Sequence, residues 1–134
     1  MWRVRNIICL IGAVCALIVL SDLSHAQNKK TGALISGAYL YEVCKRNEKG
    51  GEIVAGGHTA CQSYIVGLID YHNLLRSLGT APSIDFCVPN TVEKAKLQDI
   101  VWRYLGKHDH HGPFVAAPAV SLALFESYPC KKKK

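Results

Sequence analysis

The sequence lacks the short motifs that support most enzyme chemistry. It contains no Gly-x-Ser-x-Gly nucleophile elbow, and no glycine-rich phosphate loop follows a predicted strand. It also lacks a convincing alternating strand, because the best candidate, Glu52–Ala55, is too short to support a sheet. No basic surface studded with aromatic residues indicates RNA or DNA binding. We therefore expect no catalytic residues, no cofactor and no nucleic-acid partner, and the pattern favours a binding protein.

The N-terminus has the three-part layout of a secretory signal peptide. Arg3 and Arg5 precede an uncharged apolar run, Ile7–Leu20, and Ser24 and Ala26 supply the small residues of a cleavage site. The run is shorter than the roughly 20 residues that cross a bilayer. The sequence thus predicts a signal peptide over residues 1–26, and an exported single domain over residues 27–134 with no membrane anchor.

Net charge gives little information about a partner. The whole chain carries a formal +6, and four of its positive charges form the C-terminal run at residues 131–134. The predicted mature domain without that run holds ten Lys+Arg against nine Asp+Glu, which is close to neutral. The lysine run is interpreted as a basic, solvated tail.

Four cysteines remain after residue 26: Cys44, Cys61, Cys87 and Cys130. An even count in a small exported chain indicates disulfides rather than a thiol active site or a metal site. Four cysteines allow three connectivities, and we favour Cys44–Cys61 with Cys87–Cys130. The first would close the glycine-rich loop between two predicted helices, and the second would tie the start of the third helix to the chain end.

Periodic apolar residues predict four helices and a small all-α, disulfide-stapled bundle. The second helix has the clearest stripe, and its internal Gly67 is interpreted as a close helix crossing. The third should open on a capping box formed by Asn90 and Glu93. The predicted helices cover about Gly32–Arg46, His58–Leu78, Asn90–Gly106 and Pro118–Tyr128.

Two groups of residues resemble catalytic or metal sites. Ser63, Asp70 and His72 are the residue types of a hydrolytic triad, but Ser63 and Asp70 lie two helical turns apart, about 10 Å. His72 is expected at the edge of the core, bonded to a backbone carbonyl. The tract His108–His111 could bind zinc or copper, yet all its ligands come from one connection between helices, so a polar loop is favoured and no metal is expected.

Several segments together resemble the Rap/Tai family of immunity proteins, which is associated with bacterial type VI secretion. Cys44 matches the upstream cysteine of that family, and the segment between the third and fourth helices departs from the family pattern after His108. The matching segments are Cys61–Asp70, Phe86–Pro89, Leu97–Leu105 and Ala123–Cys130.

The resemblance implies a periplasmic, mostly helical protein that binds a cell-wall-degrading effector and occludes its active site. Peptidoglycan amidases are the best-known targets, and some members are homodimers. We expect the contact to involve the His108–Ala117 connection and the edge of Trp102, with the Gly50–His58 loop as second choice. From its helical position alone, Trp102 is favoured to cover the edge of the core, and an interface anchor is the alternative. The predicted contact residues are Trp102, His108, Asp109, His110, His111 and Phe114.

Two other classes stay open on the sequence alone. The main rival is a periplasmic structural or interaction protein with no toxin partner. The third is an enzyme or metal carrier that uses the histidine tract. A neighbouring gene for an exported amidase would favour the immunity class over its rival.

Overall fold

The computed structural model describes residues 34–131. The predicted signal peptide, its cleavage site and most of the lysine run lie outside the described residues. Within them the chain forms four α-helices and no strand, which confirms the predicted all-α fold. None of these helices is both long and apolar enough to cross a membrane. The helices are α1 (Gly37–Cys44), α2 (Gly57–Ser77), α3 (Lys94–Lys107) and α4 (Ala116–Ser127), with a 3₁₀ turn at Asp109–His111 between α3 and α4.

The first helix is shorter than predicted. Ser36 caps it, because its Oγ accepts a hydrogen bond from the Tyr39 backbone N–H at 3.2 Å. The prediction of helix over Leu34–Ser36 is therefore wrong, because these residues precede the helix, and Leu34 is 71% exposed. The buried face of the helix consists of Gly37, Leu40, Val43 and Cys44.

The second helix follows its predicted limits within one residue. Cys61, Ile65 and His72 are buried, as the periodicity indicated. Gly79, just past the end, has a φ of 73°, a conformation that glycine adopts at low cost. The interpretation of Gly67 as a close crossing is wrong, because a Cβ added there would meet no atom within 4 Å.

The third helix begins at Lys94, four residues after Asn90, which was predicted to be its N-cap residue. The Val92 N–H donates to the Pro89 carbonyl at 3.1 Å, so Asn90 lies in a turn before the helix. Glu93 becomes the N-cap residue and makes no side-chain cap bond, so the predicted capping box does not form. The buried face contains one polar residue, Gln98, among apolar ones: Leu97, Gln98, Val101, Tyr104 and Leu105.

The fourth helix begins at Ala116, so Pro118 still lies in its first turn, where a missing N–H costs little. One face of this helix lies in the core, because Ala119, Val120, Ala123 and Leu124 are at most 1% exposed. Phe125 is 39% exposed on the other side. All four helices contribute to one core, which is completed by the fully buried Phe86.

Both favoured disulfides are present. Cys44–Cys61 joins the end of α1 to the start of α2, and Cys87–Cys130 joins the segment before α3 to the chain end after α4. The sequence separations are 17 and 43 residues. Closing loops of these lengths stabilises the fold by about 3 and about 4 kcal/mol in the chain-entropy account. Those values are large for a domain whose whole stability is expected to be about 5–15 kcal/mol.

Candidate partner-binding surface

The connection between α3 and α4, residues 108–115, is fixed to the start of α1; we name it the α3–α4 loop. The Gly37 and Ala38 N–H groups donate to the carbonyls of Phe114 and Gly112 at 2.8 and 3.0 Å. The Ala116 N–H donates to the Ile35 carbonyl at 2.8 Å, beside an antiparallel bridge between Ser36 and Val115. The free N–H groups of a helix start are therefore used to hold this loop.

The close approach of this loop explains the glycine at the start of α1. A Cβ added at Gly37 would lie 2.5 Å from the carbonyl oxygen of His111. No ordinary side chain fits at that separation, so position 37 must be glycine if the loop is to keep its place. The loop is consequently preorganised, a property that lowers the entropy cost of binding a partner.

The loop presents an apolar surface to solvent. Phe114 is 67% exposed and Val115 is 40% exposed. Two more exposed apolar residues, Leu34 and Tyr39, lie within three residues of the Ser36–Val115 pairing. An exposed aromatic residue on a rigid loop is a typical anchor of a protein interface. Leu34 and Tyr39 were missed as candidates, because the sequence placed them inside a longer first helix.

The histidines pack against α3 and against one another. The His108 ring stacks on Tyr104 with centroids 4.1 Å apart, and its Nδ1 lies 2.9 Å from the Tyr104 carbonyl, a geometry in which Nδ1–H donates. The rings of His110 and His111 are 4.2 Å apart. Desolvation, with smaller contributions from His110 and His108, lowers the pKa of His111 below its usual 6.5. The tract thus forms a surface of stacked rings against Tyr104.

The predicted contact residues differ in accessibility. Asp109, His110 and Phe114 are exposed, whereas His108, His111 and Trp102 are half-buried. Nowhere in residues 34–131 do three His, Cys, Asp or Glu side chains come together as a metal site would require.

Trp102 adjoins this surface through Tyr41. The two rings stack with centroids 6.4 Å apart, and Trp102 packs against the core. Its indole Nε1 is buried and has no hydrogen-bond partner among residues 34–131. Tyr41 also lines a cleft of about 270 Å³ between α1 and α3, whose other walls include Gly106, Asp109 and Gly112. The cleft therefore lies between Tyr41, which stacks on Trp102, and the α3–α4 loop.

The Gly50–His58 loop forms a second ordered projection. The Glu52 carboxylate accepts hydrogen bonds from the Gly56 and His58 N–H groups at 3.0 and 3.2 Å. These two bonds lower the pKa of Glu52 below 4.5. Ile53 and Val54 are exposed beside Glu52, at 55% and 41%. This loop is smaller and less aromatic than the α3–α4 loop.

The triad candidates do not form a catalytic group. Ser63 and Asp70 line an exposed groove on α2, whereas His72 is buried on another face of that helix. The His72 ring stacks on Phe86 at 3.8 Å. Its Nε2 lies 3.0 Å from the Asp85 carboxylate and 3.3 Å from the Phe86 N–H. The prediction of a backbone carbonyl as the partner of His72 is therefore wrong.

Comparison with known proteins gives one match. The family model described as Rap1a immunity proteins matches residues 36–130, which include all four helices and both disulfides. No curated protein and no solved structure matches the chain. The match extends over most of the 134 residues and agrees with the resemblance carried by the cysteine and helix motifs. This chain therefore belongs to the Rap1a immunity protein family.

Proposed function

We propose that this protein is a periplasmic immunity protein that inhibits a cell-wall hydrolase delivered by type VI secretion, with a peptidoglycan amidase as the target class. Membership of an immunity family supports the existence of a protein effector as partner. Two disulfides fit an oxidising compartment outside the cytoplasm, in agreement with the predicted signal peptide over residues 1–26.

The observation that carries the proposal is the rigid α3–α4 loop with its exposed Phe114. A hydrolase that cleaves a polymer presents a cleft, and a projecting loop enters a cleft more readily than a flat helix face does. Backbone bonds to Gly37 and Ala38 hold the loop in place before it binds, so little ordering entropy opposes the complex. His110 and Asp109 beside Phe114 supply polar contacts at the rim.

Inhibition of this kind requires no chemistry from the immunity protein itself. The absence of a triad geometry at Ser63, Asp70 and His72 agrees with action by occlusion. A complex that buries a standard interface of about 1,600 Å² can protect a cell if its hot-spot residues are well packed.

The test uses the purified mature chain and peptidoglycan amidases encoded beside its gene. Digestion of isolated peptidoglycan is followed by loss of turbidity while the chain is added in increasing amounts. We expect complete inhibition near one chain per enzyme molecule. Full amidase activity at a tenfold excess of the chain, or release of cell-wall fragments by the chain alone, would refute the proposal.

A second arm of the same experiment separates the two candidate loops. The double variant Ile53→Ser, Val54→Ser removes the apolar tip of the Gly50–His58 loop and leaves the α3–α4 loop unchanged. We expect it to inhibit like the wild type. Loss of inhibition by this variant alone would move the contact to the Gly50–His58 loop.

A further inference from the structure

The cleft between α1 and α3 has no role in the function proposed above. Three of its wall residues are glycines, so backbone atoms form much of its surface, and Leu105 and Tyr41 supply apolar and aromatic wall. Its volume of about 270 Å³ lies just below the range of about 300–1,000 Å³ that is typical of pockets for drug-sized ligands. A cleft of this size suits one long side chain of a partner. The three glycines are Gly37, Gly106 and Gly112.

The walls of the cleft are held in place before any partner binds. A Cβ added at Gly106 would lie 3.2 Å from Cε2 of Tyr41, and one added at Gly112 would lie 3.0 Å from the Asp109 carbonyl oxygen. The Ala38 N–H donates to the Gly112 carbonyl at 3.0 Å, which ties α1 to the opposite wall. A side chain that enters the cleft therefore meets a preorganised site.

The charge of the cleft favours a cation. Asp109 is the one residue with a formal charge in its walls, and it forms no ion pair within residues 34–131. The last turn of α3 also lines the cleft, and the end of a helix carries partial negative charge. The Gly106 carbonyl accepts no backbone hydrogen bond from the described residues, so it offers a second acceptor. An apolar side chain would desolvate these acceptors without replacing their hydrogen bonds.

The aromatic wall selects a guanidinium group over an ammonium group. The Tyr41 ring already attracts one cation, the Lys45 ammonium 5.8 Å from its centroid, and Lys45 is not a wall residue of the cleft. A guanidinium group is planar, stacks on aromatic rings and donates several hydrogen bonds to carboxylate and carbonyl oxygens at once. Its aliphatic stem would pack on Leu105 and Ala38. Arginine therefore satisfies every wall of the cleft.

We propose that this cleft binds one arginine side chain of the effector, with its guanidinium group between the Tyr41 ring and Asp109. The identity of the partner as the effector rests on the proposed function, whereas the preference for arginine rests on the cleft itself. Asp109 and Phe114 belong to the same rigid loop, so one partner surface would contact both. Arginine and aromatic residues are the types that most often carry the energy of an interface.

A titration that needs no effector tests the chemistry of the cleft. The isotope-labelled mature chain is titrated with N-acetylarginine amide and followed by the NMR signals of the backbone amides. We expect the Gly106 and Gly112 signals to shift with a dissociation constant on the order of 10 mM, as for a ligand with one charged group. The citrulline analogue has nearly the same shape without the charge and should shift neither signal. No shift with the arginine probe at about 50 mM, or equal shifts with both probes, overturns the proposal.

Three variants of the chain show whether the probe binds in the cleft. Asp109→Asn removes the charge, and Ala38→Leu fills the cleft from an exposed position of α1, so both should abolish the shifts. Asp70→Asn is the matched control, because Asp70 is an exposed carboxylate on α2 outside the cleft, and it should bind the probe like the wild type. Thermal unfolding confirms that each variant is folded. An Asp109→Asn protein that binds the probe as the wild type does overturns the proposal.

A double-mutant cycle with the inhibited amidase tests the partner. Asp109→Asn should weaken the complex at least about tenfold, and Asp109→Glu should recover most of that loss. Surface arginines at the mouth of the amidase cleft are replaced one at a time by glutamine. For one of them, the loss should be nearly the same whether Asp109 is replaced or not replaced in addition, since both changes remove one shared interaction. If no arginine of the amidase is coupled to Asp109, the proposal is wrong.

Failure of this inference and failure of the proposed function give different results. A chain that binds the arginine probe but inhibits no amidase supports the arginine cleft and refutes the amidase as its partner. A chain that inhibits the amidase equally well with Asp109→Asn, and that does not bind the probe, supports the proposed function and refutes the arginine cleft.

Discussion

Replacing Gln98 by Met should destabilise the fold more than any other polar-to-apolar change in α3. Gln98 is fully buried. Its Nε2 donates to the Cys44 carbonyl at 2.9 Å, and its Oε1 accepts from the Gln62 Nε2 at 2.8 Å. One amide therefore links the end of α1, the start of α2 and the middle of α3. The Cys44 carbonyl belongs to the last turn of α1, where no intrahelical donor is available.

The expected cost follows from the two lost bonds. Met has nearly the same length but no donor, so the Cys44 carbonyl stays buried and unpaired, at about 1–3 kcal/mol. The bond to Gln62 adds about 1 kcal/mol, because the half-buried Gln62 amide can turn to water. Part of the sum is offset by the apolar Met side chain, which leaves about 2–3 kcal/mol. For a domain of this size the melting temperature should fall by roughly 10–20 °C.

The assay is urea unfolding followed by circular dichroism, with disulfides intact. Gln62→Met is the matched control, because it removes only the second bond and should cost about 1 kcal/mol or less. Adding Gln62→Met to Gln98→Met should lower the stability by no more than about 0.5 kcal/mol further, because the bond that joins the two amides is already lost in the single variant. A Gln98→Met protein within about 0.5 kcal/mol of the wild type would show that this buried amide does not hold the helices together.

Three further outcomes are expected. Removal of Cys87–Cys130 should cost about 4 kcal/mol and removal of Cys44–Cys61 about 3 kcal/mol, measured by urea unfolding of the paired Ala variants; the opposite order would contradict the loop-length argument. Gly37→Ala should destabilise by about 1–3 kcal/mol, because its Cβ would lie 2.5 Å from the His111 carbonyl oxygen, and unchanged stability would mean that the α3–α4 loop yields freely. The pKa of Glu52 is lowered below 4.5 by the Gly56 and His58 N–H groups, so its stabilising effect is present above that pH and is lost as the pH falls. Glu52→Gln should thus be less stable than the wild type at pH 7 and approach it toward pH 3, and a constant difference would refute this.

The sequence predicted the helices best where apolar periodicity was long and unbroken. The limits of α2 were correct within one residue, and of the three possible connectivities the favoured one is present. The predicted start of α3 was wrong because Asn90 lies in a turn that the hydrogen bond from the Val92 N–H to the Pro89 carbonyl closes. This local bond competes with capping by Asn90. Gln98 was missed because a glutamine on a stripe of apolar residues is expected to face water.

The sequence named the candidate contact residues but not the conformation of the loop that carries them. Phe114 and the histidines were named from the loop they occupy, whereas the bonds from Gly37 and Ala38 that fix that loop join residues more than 70 positions apart. Periodicity carries no signal for such a contact. Gly37 was the one indication of this contact in the sequence, because a glycine inside a helix weakens it and is typical of a position where another backbone approaches closely.

If the α3–α4 loop blocks a cell-wall hydrolase, as proposed, the side chains of that loop should carry much of the binding energy. The affinity of one triple variant for the hydrolase measures this. His110→Ala, His111→Ala, Phe114→Ala removes two exposed side chains and the half-buried His111 ring, and leaves the backbone bonds to α1 in place. Calorimetric titration against the amidase that the wild type inhibits should show binding at least about a hundredfold weaker, as expected when an aromatic anchor and its neighbours are removed. Unchanged affinity, with melting temperature equal to the wild type, would contradict the account.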